Sequence, residues 1–202
     1  MSAAPDQALP PYDGIKLADV RLVRSAQDAA EALAALSSAD TLGFDTESKP
    51  TFTKGEVSTG PHLVQLATDD LAWLFQIGRS ADAIAPAVAV LKAVLEAKQI
   101  LKVGFGLSDD VKRLRAKLGI EAQNVLDLST ALRRGERNAW GAKTAVARLF
   151  GQSLQKSKRI TTTNWALPNL SEKQVLYAAD DAHVALRIYR HWRATIPDAV
   201  PK

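Results

Sequence analysis

The sequence predicts an α/β domain built on a mixed β-sheet with helices on both faces. Three observations carry that expectation. Two apolar runs, 62–67 and 71–77, are joined by Thr68-Asp69-Asp70 and read as a β-hairpin. Downstream of it, strand-like runs alternate with helical stretches, the pattern of a sheet layered between helices. The chain has 202 residues, 47% hydrophobic and 24% charged, enough for one sizeable core at an ordinary globular balance.

Residues 1–14 hold three prolines and no periodicity, which predicts a flexible N-terminal tail. Residues 15–23 alternate weakly, as a strand does. Ser25 then caps a helix, with Asp28 three residues on in the manner of a capping box. Ala26, Ala29, Leu33 and Leu36 recur at helical spacing and predict its buried stripe. A strand follows over 41–48, then a polar loop over 49–61 with two glycines and two prolines, then the hairpin. A helix over 84–97 leads into a strand over 99–104 and a second helix over 108–118. A short strand at 125–127 precedes helical stretches reaching Arg134 and spanning 142–150. A polar linker over 152–164 reaches the last helix, 171–195.

Composition excludes several classes. No stretch approaches the roughly 20 apolar residues of a membrane helix, so no span is expected. The N-terminus lacks the basic and apolar regions of a secretory signal. Cysteine is absent, which rules out disulfides, a zinc-thiolate centre and a cysteine nucleophile, and fits a cytoplasmic location. Charge is uneven: residues 97–160 hold 14 Lys or Arg against 5 Asp or Glu, a net +9 in a chain of net +4. Such a segment suits a polyanionic partner, or a merely solvated face.

Asp45 and Glu47 stand two apart on a strand and leave by one face. The run Leu42-Gly43-Phe44 ahead of them reads as a strand buried on both sides. There two carboxylates need a proton or a cation; at an emerging strand end they need neither. In the last helix Tyr177 and Asp181 are four apart and share a face. Val175, Ala179, Ala182, Leu186 and Tyr189 form another apolar stripe there, so Asp181 either finds a buried partner or is a surface acid. Asp109 and Asp110 open a helix, where the dipole alone favours acids. Gly104 and Gly106 do not complete a dinucleotide fingerprint, since Asp109 stands where its third glycine belongs. His62, His183 and His191 offer no convincing catalytic or metal arrangement and read as packed or surface residues.

Taken in order, the chain reads Leu-Gly-Phe-Asp45-Thr-Glu47, then Val-Gln65-Leu-Ala, then Lys102-Val-Gly-Phe-Gly-Leu-Ser-Asp-Asp110-Val-Lys-Arg-Leu114. It closes with Asn164-Trp165 and Leu170-Ser-Glu-Lys-Gln-Val-Leu-Tyr177-Ala-Ala-Asp-Asp181. Over about 15–195 this resembles the DEDD family of 3′–5′ exonucleases in its tyrosine-bearing branch, similar to ribonuclease D and the Werner-type exonuclease domain. The resemblance implies a ribonuclease H-like fold. It places the family's four acids on Asp45, Glu47, Asp110 and Asp181, and its tyrosine on Tyr177; the histidine of the sister branch is replaced by Leu176.

It further implies two Mg²⁺ or Mn²⁺ ions and no organic cofactor. One ion would be held by Asp45, Glu47 and Asp181; the second would be shared by Asp45 and approached by Asp110 largely through water. Four carboxylates with no soft ligand suit such hard ions. Tyr177, a poor base with an ordinary pKa near 10, would orient the attacking water. The expected substrate is a nucleic acid with a free 3′ end, single-stranded, RNA or DNA. Thr46 is placed either to meet the terminal sugar through its backbone or to pack on the opposite face. Lys112, Arg113, Lys158 and Arg159 are candidates for phosphate contacts. Trp165 is a candidate for base stacking, or is packed on the core. The expected organisation is a single exonuclease domain over 15–198 without a C-terminal helical nucleic-acid-binding domain. The alternative to hydrolysis is a catalytically silent single-stranded nucleic-acid-binding module.

Overall fold

A computed structural model describes residues 8–51, 55–56, 58–77, 81–133 and 137–195; side chains of 81–83 and 158 lie outside the description. Six strands form one mixed sheet. They are β1 (Val20–Val23), β2 (Thr41–Glu47), β3 (Leu63–Ala67), β4 (Ala72–Gln76), β5 (Leu101–Gly104) and β6 (Val125–Asp127). Their order is β1-β4-β3-β2-β5-β6, with β3 antiparallel to both its neighbours and the other pairings parallel. The helices are α1 (Ala26–Ser37), α2 (Ala81–Leu95), α3 (Ser108–Leu118), α4 (Leu128–Ala131), α5 (Ala142–Phe150), α6 (Lys158–Thr161) and α7 (Glu172–Thr195).

Strand alternation sorts the two faces. Leu42, Phe44, Val64, Leu66, Trp73 and Phe75 point to one side and pack with buried residues of α1, α2 and α3. Leu63, Ala67, Ala72 and Leu74 point to the other and pack with Ala178, Ala179 and Ala182 of α7 and with Trp165. The expected mixed sheet with helices on both faces is what the chain forms. The hairpin and the boundaries of α3 and α5 also fall where the periodicity put them. Ser25 makes the full capping box with Asp28, each side chain accepting from the other's end of the turn.

Other expectations need correction. The strand expected over 15–23 is a short 3₁₀ turn, Leu17–Asp19, followed by β1, because β4 offers partners only to residues 20–23. The stripe of α1 is Ala29, Ala32 and Leu36, with Leu33 38% exposed; a small residue faces the neighbouring layer where a leucine was expected. The polar linker contains α6. The stretch reaching Arg134 is helical only to Ala131, and residues 134–136 lie outside the described residues. The tail is docked over residues 10–14. Tyr12 N–H donates to the Ser153 carbonyl at 3.0 Å and Ser153 N–H to the Pro10 carbonyl at 2.8 Å. The Tyr12 ring stacks on Phe150 with the Arg187 guanidinium 5.1 Å above it. Prolines broke the sequence signal there, but pairing to a distant segment satisfies the backbone anyway.

Gly43 sets the position of α7. A Cβ built on it would lie 1.9 Å from the Ala182 carbonyl oxygen, so only glycine lets this helix cross directly over β2. That crossing carries Asp181, the residue before Ala182, to the strand that bears Asp45 and Glu47.

Candidate active site

Three of the four expected acids converge. One carboxylate oxygen from each of Asp45, Glu47 and Asp181 lies within 4.8 Å of the others. Asp45 and Glu47 share the α7 face of β2, and Asp181 comes down from the helix that Gly43 admits. Glu47 and Asp181 are buried, and Asp45 is partly buried. Among the described residues neither Asp45 nor Glu47 has a basic partner within ion-pair distance.

Asp110 stands apart from that trio. Its carboxylate accepts a short hydrogen bond from the Thr46 hydroxyl, and Thr46, alternating with its neighbours, faces the α3 side of β2. Capping does not explain Asp110: it is buried, and Asp127 accepts from the N–H groups of Gly106 and Leu107 just ahead of α3, at 2.9 and 3.1 Å. Asp110 is close enough for its charge to act on both Asp45 and Glu47. The acids therefore straddle the end of β2, three on one side and one on the other. Thr46 takes the second of its two expected places: its side chain packs on the opposite face of β2, where it donates to Asp110.

The electrostatics are those of a cluster only partly compensated. Burial, then the charges of Asp181 and Asp110, push Asp45 well above the ordinary carboxylate range. Burial, then Asp45 and Asp181, raise Glu47 to about 9. Burial raises Asp110, and the Thr46 hydroxyl only partly offsets it. Burial likewise raises Asp181 despite an ammonium beside it. Tyr177 is pushed up to about 12, by burial and by Asp181, and its hydroxyl lies 2.9 Å from that of Thr161. Asp180 is raised to about 6 by burial but is engaged elsewhere, accepting from the Ile15 N–H at 3.3 Å.

That ammonium belongs to Lys156, which pairs with Asp181 at 2.7 Å and sits 5.8 Å from the centre of the Tyr177 ring. Lys156 lies within the basic segment 97–160, but no local pattern marks a lysine 25 positions away in the chain as the partner of Asp181. A second missed residue is Gln65, paired opposite Asp45 on β3 and therefore on the same face. It is fully buried, with neither amide atom hydrogen-bonded.

The remaining candidates divide. Trp165 is 1% exposed, packed among Leu74, Val175 and Ala178, with its indole N–H donating to the Thr161 carbonyl at 3.3 Å; it has no free face for a base. Lys112 is exposed and pairs with Asp109 at 3.3 Å. Arg113 is half-buried and stabilises the Asp110 charge, and Arg159 is exposed on α6. The side chain of Lys158 lies outside the described residues. Much of the basic segment serves the fold. Lys102 is wholly buried and donates to the carbonyls of Ala97 and Ile100, both at 2.8 Å. Lys117 donates to those of Thr59 and Pro61, at 2.7 and 2.8 Å.

Glu47 yields a measurable consequence. Its folded value lies above its ordinary one, so its contribution to stability is complete below about pH 4.5 and is lost as pH rises toward 9. Between pH 6 and 8 the metal-free chain should lose up to about 1 kcal/mol per pH unit relative to Glu47→Gln. Urea unfolding at several pH values checks this; parallel profiles for the two proteins would contradict the burial of an ionisable Glu47.

A carboxylate pair on a central strand, joined by a third acid from the helix that crosses it, forms a cluster of hard oxygen ligands that could hold a divalent ion. Residues 20–196 match the 3′–5′ exonuclease family. The chain is 31% identical over 157 residues to the bifunctional 3′–5′ exonuclease/ATP-dependent helicase WRN of Mus musculus, covering 77% of this chain and 11% of that protein. It is 30% identical over 165 residues to a 3′–5′ exonuclease of Arabidopsis thaliana, covering 79% and 54%. Among solved structures, the Aedes aegypti Nibbler EXO domain superposes with a TM-score of 0.76 at 26% identity, covering 91% of both chains. Escherichia coli RNase D superposes at 0.72 and 24%, covering 89% and 47%. The chain belongs to the 3′–5′ exonuclease family, and its fold is the ribonuclease H-like one. It spans 11% and 54% of the two curated relatives.

Proposed function

We propose that this chain is a metal-dependent 3′–5′ exonuclease of the tyrosine-bearing branch, releasing nucleoside 5′-monophosphates from single-stranded nucleic acid. The observation that carries this reading is the convergence of Asp45, Glu47 and Asp181 within 4.8 Å, without a basic partner for the first two among the described residues. Buried carboxylates repel one another and lose hydration, and hard divalent cations are the usual remedy. Asp45, Glu47 and Asp181 would hold one Mg²⁺ or Mn²⁺; Asp45 and Asp110 would hold a second. Ions so held acidify water and neutralise charge on a phosphate.

In hydrolysis a water oxygen bonds to the phosphorus and the bond to the 3′ oxygen of the penultimate nucleotide breaks. The water gives up a proton and the departing 3′ oxygen gains one. Tyr177, held protonated by burial beside Asp181, orients that water as a hydrogen-bonding hydroxyl rather than taking its proton. Thr46 holds Asp110, which leaves its backbone for the terminal sugar. Arg113 and Arg159 remain as phosphate contacts, of the salt-sensitive and sequence-independent kind.

The test is a 5′-labelled single strand incubated with Mn²⁺, with matched RNA and DNA arms. A ladder shortening from the 3′ end is expected, and it disappears with chelator. Binding without shortening would favour the silent module.

A further inference from the structure

Among the described residues Lys156 is the one cation ion-paired with the acid trio, and the fold goes to some length to deliver it. Two residues before it Leu154 is buried, and three before it Ser153 is pinned by the backbone pairing with residues 10–12. Two residues after it α6 begins. The Lys143 ammonium, 3.4 Å away, holds the Lys156 carbonyl. The side chain then runs to Asp181 at 2.7 Å, beside the Tyr177 ring, on the wall of a cleft of about 220 Å³ that Tyr177 and Asp181 also line. Its side chain is 30% exposed, so the residue is not sealed inside the cluster.

Charge counting gives this placement a purpose. Four carboxylates balance two divalent ions, so the ions and acids together carry no surplus charge against the phosphodiester or the charge that grows on it during hydrolysis. We propose that Lys156 is a two-position residue: it neutralises Asp181 while the site is empty of metal, and contacts a non-bridging oxygen of the scissile phosphate once ions occupy the carboxylates. A lysine suits this role, being a compact charge on a four-carbon stem with several rotatable bonds. The inference rests on the exonuclease reading.

Titration calorimetry with Mn²⁺, and then with adenosine 5′-monophosphate on the Mn²⁺-loaded protein, tests both positions. Lys156→Met removes the competing charge, so Mn²⁺ should bind about tenfold more tightly. The monophosphate should bind about tenfold more weakly, having lost a charge-assisted hydrogen bond. Lys156→Arg should restore much of the monophosphate affinity, and circular dichroism of both variants confirms that the fold is retained. Unchanged or weaker Mn²⁺ binding by a folded Lys156→Met overturns the first position; unchanged monophosphate binding overturns the second. If the unaltered protein itself neither binds Mn²⁺ nor shortens a strand, the exonuclease reading has failed, and this inference with it. A working enzyme indifferent to Lys156→Met sinks the inference alone.

Discussion

Asp45→Asn should lower the rate of strand shortening in Mn²⁺ by about three orders of magnitude or more, while making the metal-free protein more stable. The two effects share one cause. Asp45 is the acid both ions would need, and losing about 4 kcal/mol of charge stabilisation removes three decades of rate. Without metal, the same carboxylate is a buried charge beside Asp181 and Asp110, so an amide of equal size relieves repulsion and desolvation. Rate assays and thermal unfolding in chelator measure the two sides. A variant that cuts at the normal rate would remove Asp45 from the site. One that melts lower than the parent in chelator would show that the cluster is not under electrostatic strain.

Gly43→Ala should be the most disruptive small substitution in the sheet. The added methyl meets the backbone carbonyl of Ala182, which cannot turn aside as a side chain would, so α7 must move off β2. Overpacking of this kind costs about 3 kcal/mol at the upper end of its usual range. In a chain this long that is roughly 6–12 °C in thermal midpoint. Because Asp181 adjoins Ala182, Mn²⁺ affinity should fall even at temperatures where the variant is folded. Calorimetry below the melting transition separates the two losses. Unchanged metal affinity in a folded variant would mean that Asp181 is not positioned by this crossing.

Lys102 and Lys117 show why charge along the chain does not say which cations meet a phosphate. Both lie in the basic segment, yet both spend their ammonium groups on backbone carbonyls. A lysine used to tie down a loop and one that meets a phosphate look alike in one dimension. Trp165 misleads in the same way, since an aromatic that fills a core and one that stacks on a base have the same local neighbours. The docked residues 10–14 are the converse case: prolines erased every periodic signal, and only the distant Ser153 backbone supplies their pairing.

What the sequence by itself determined is the chemistry of the site: hard oxygen ligands with no soft alternative, two on one face of a strand, and a tyrosine and an acid one helical turn apart. Those relations are local, set by periods of two and of about 3.6 residues that hold wherever a strand or helix forms. The tertiary structure alone decided which of those groups meet. It brought Asp181 to Asp45 through the missing side chain of Gly43, left Asp110 on the far side of β2 with Thr46, and chose Lys156 as the resident cation. Such choices depend on which distant surfaces pack together, and burial then sets the charge each group carries.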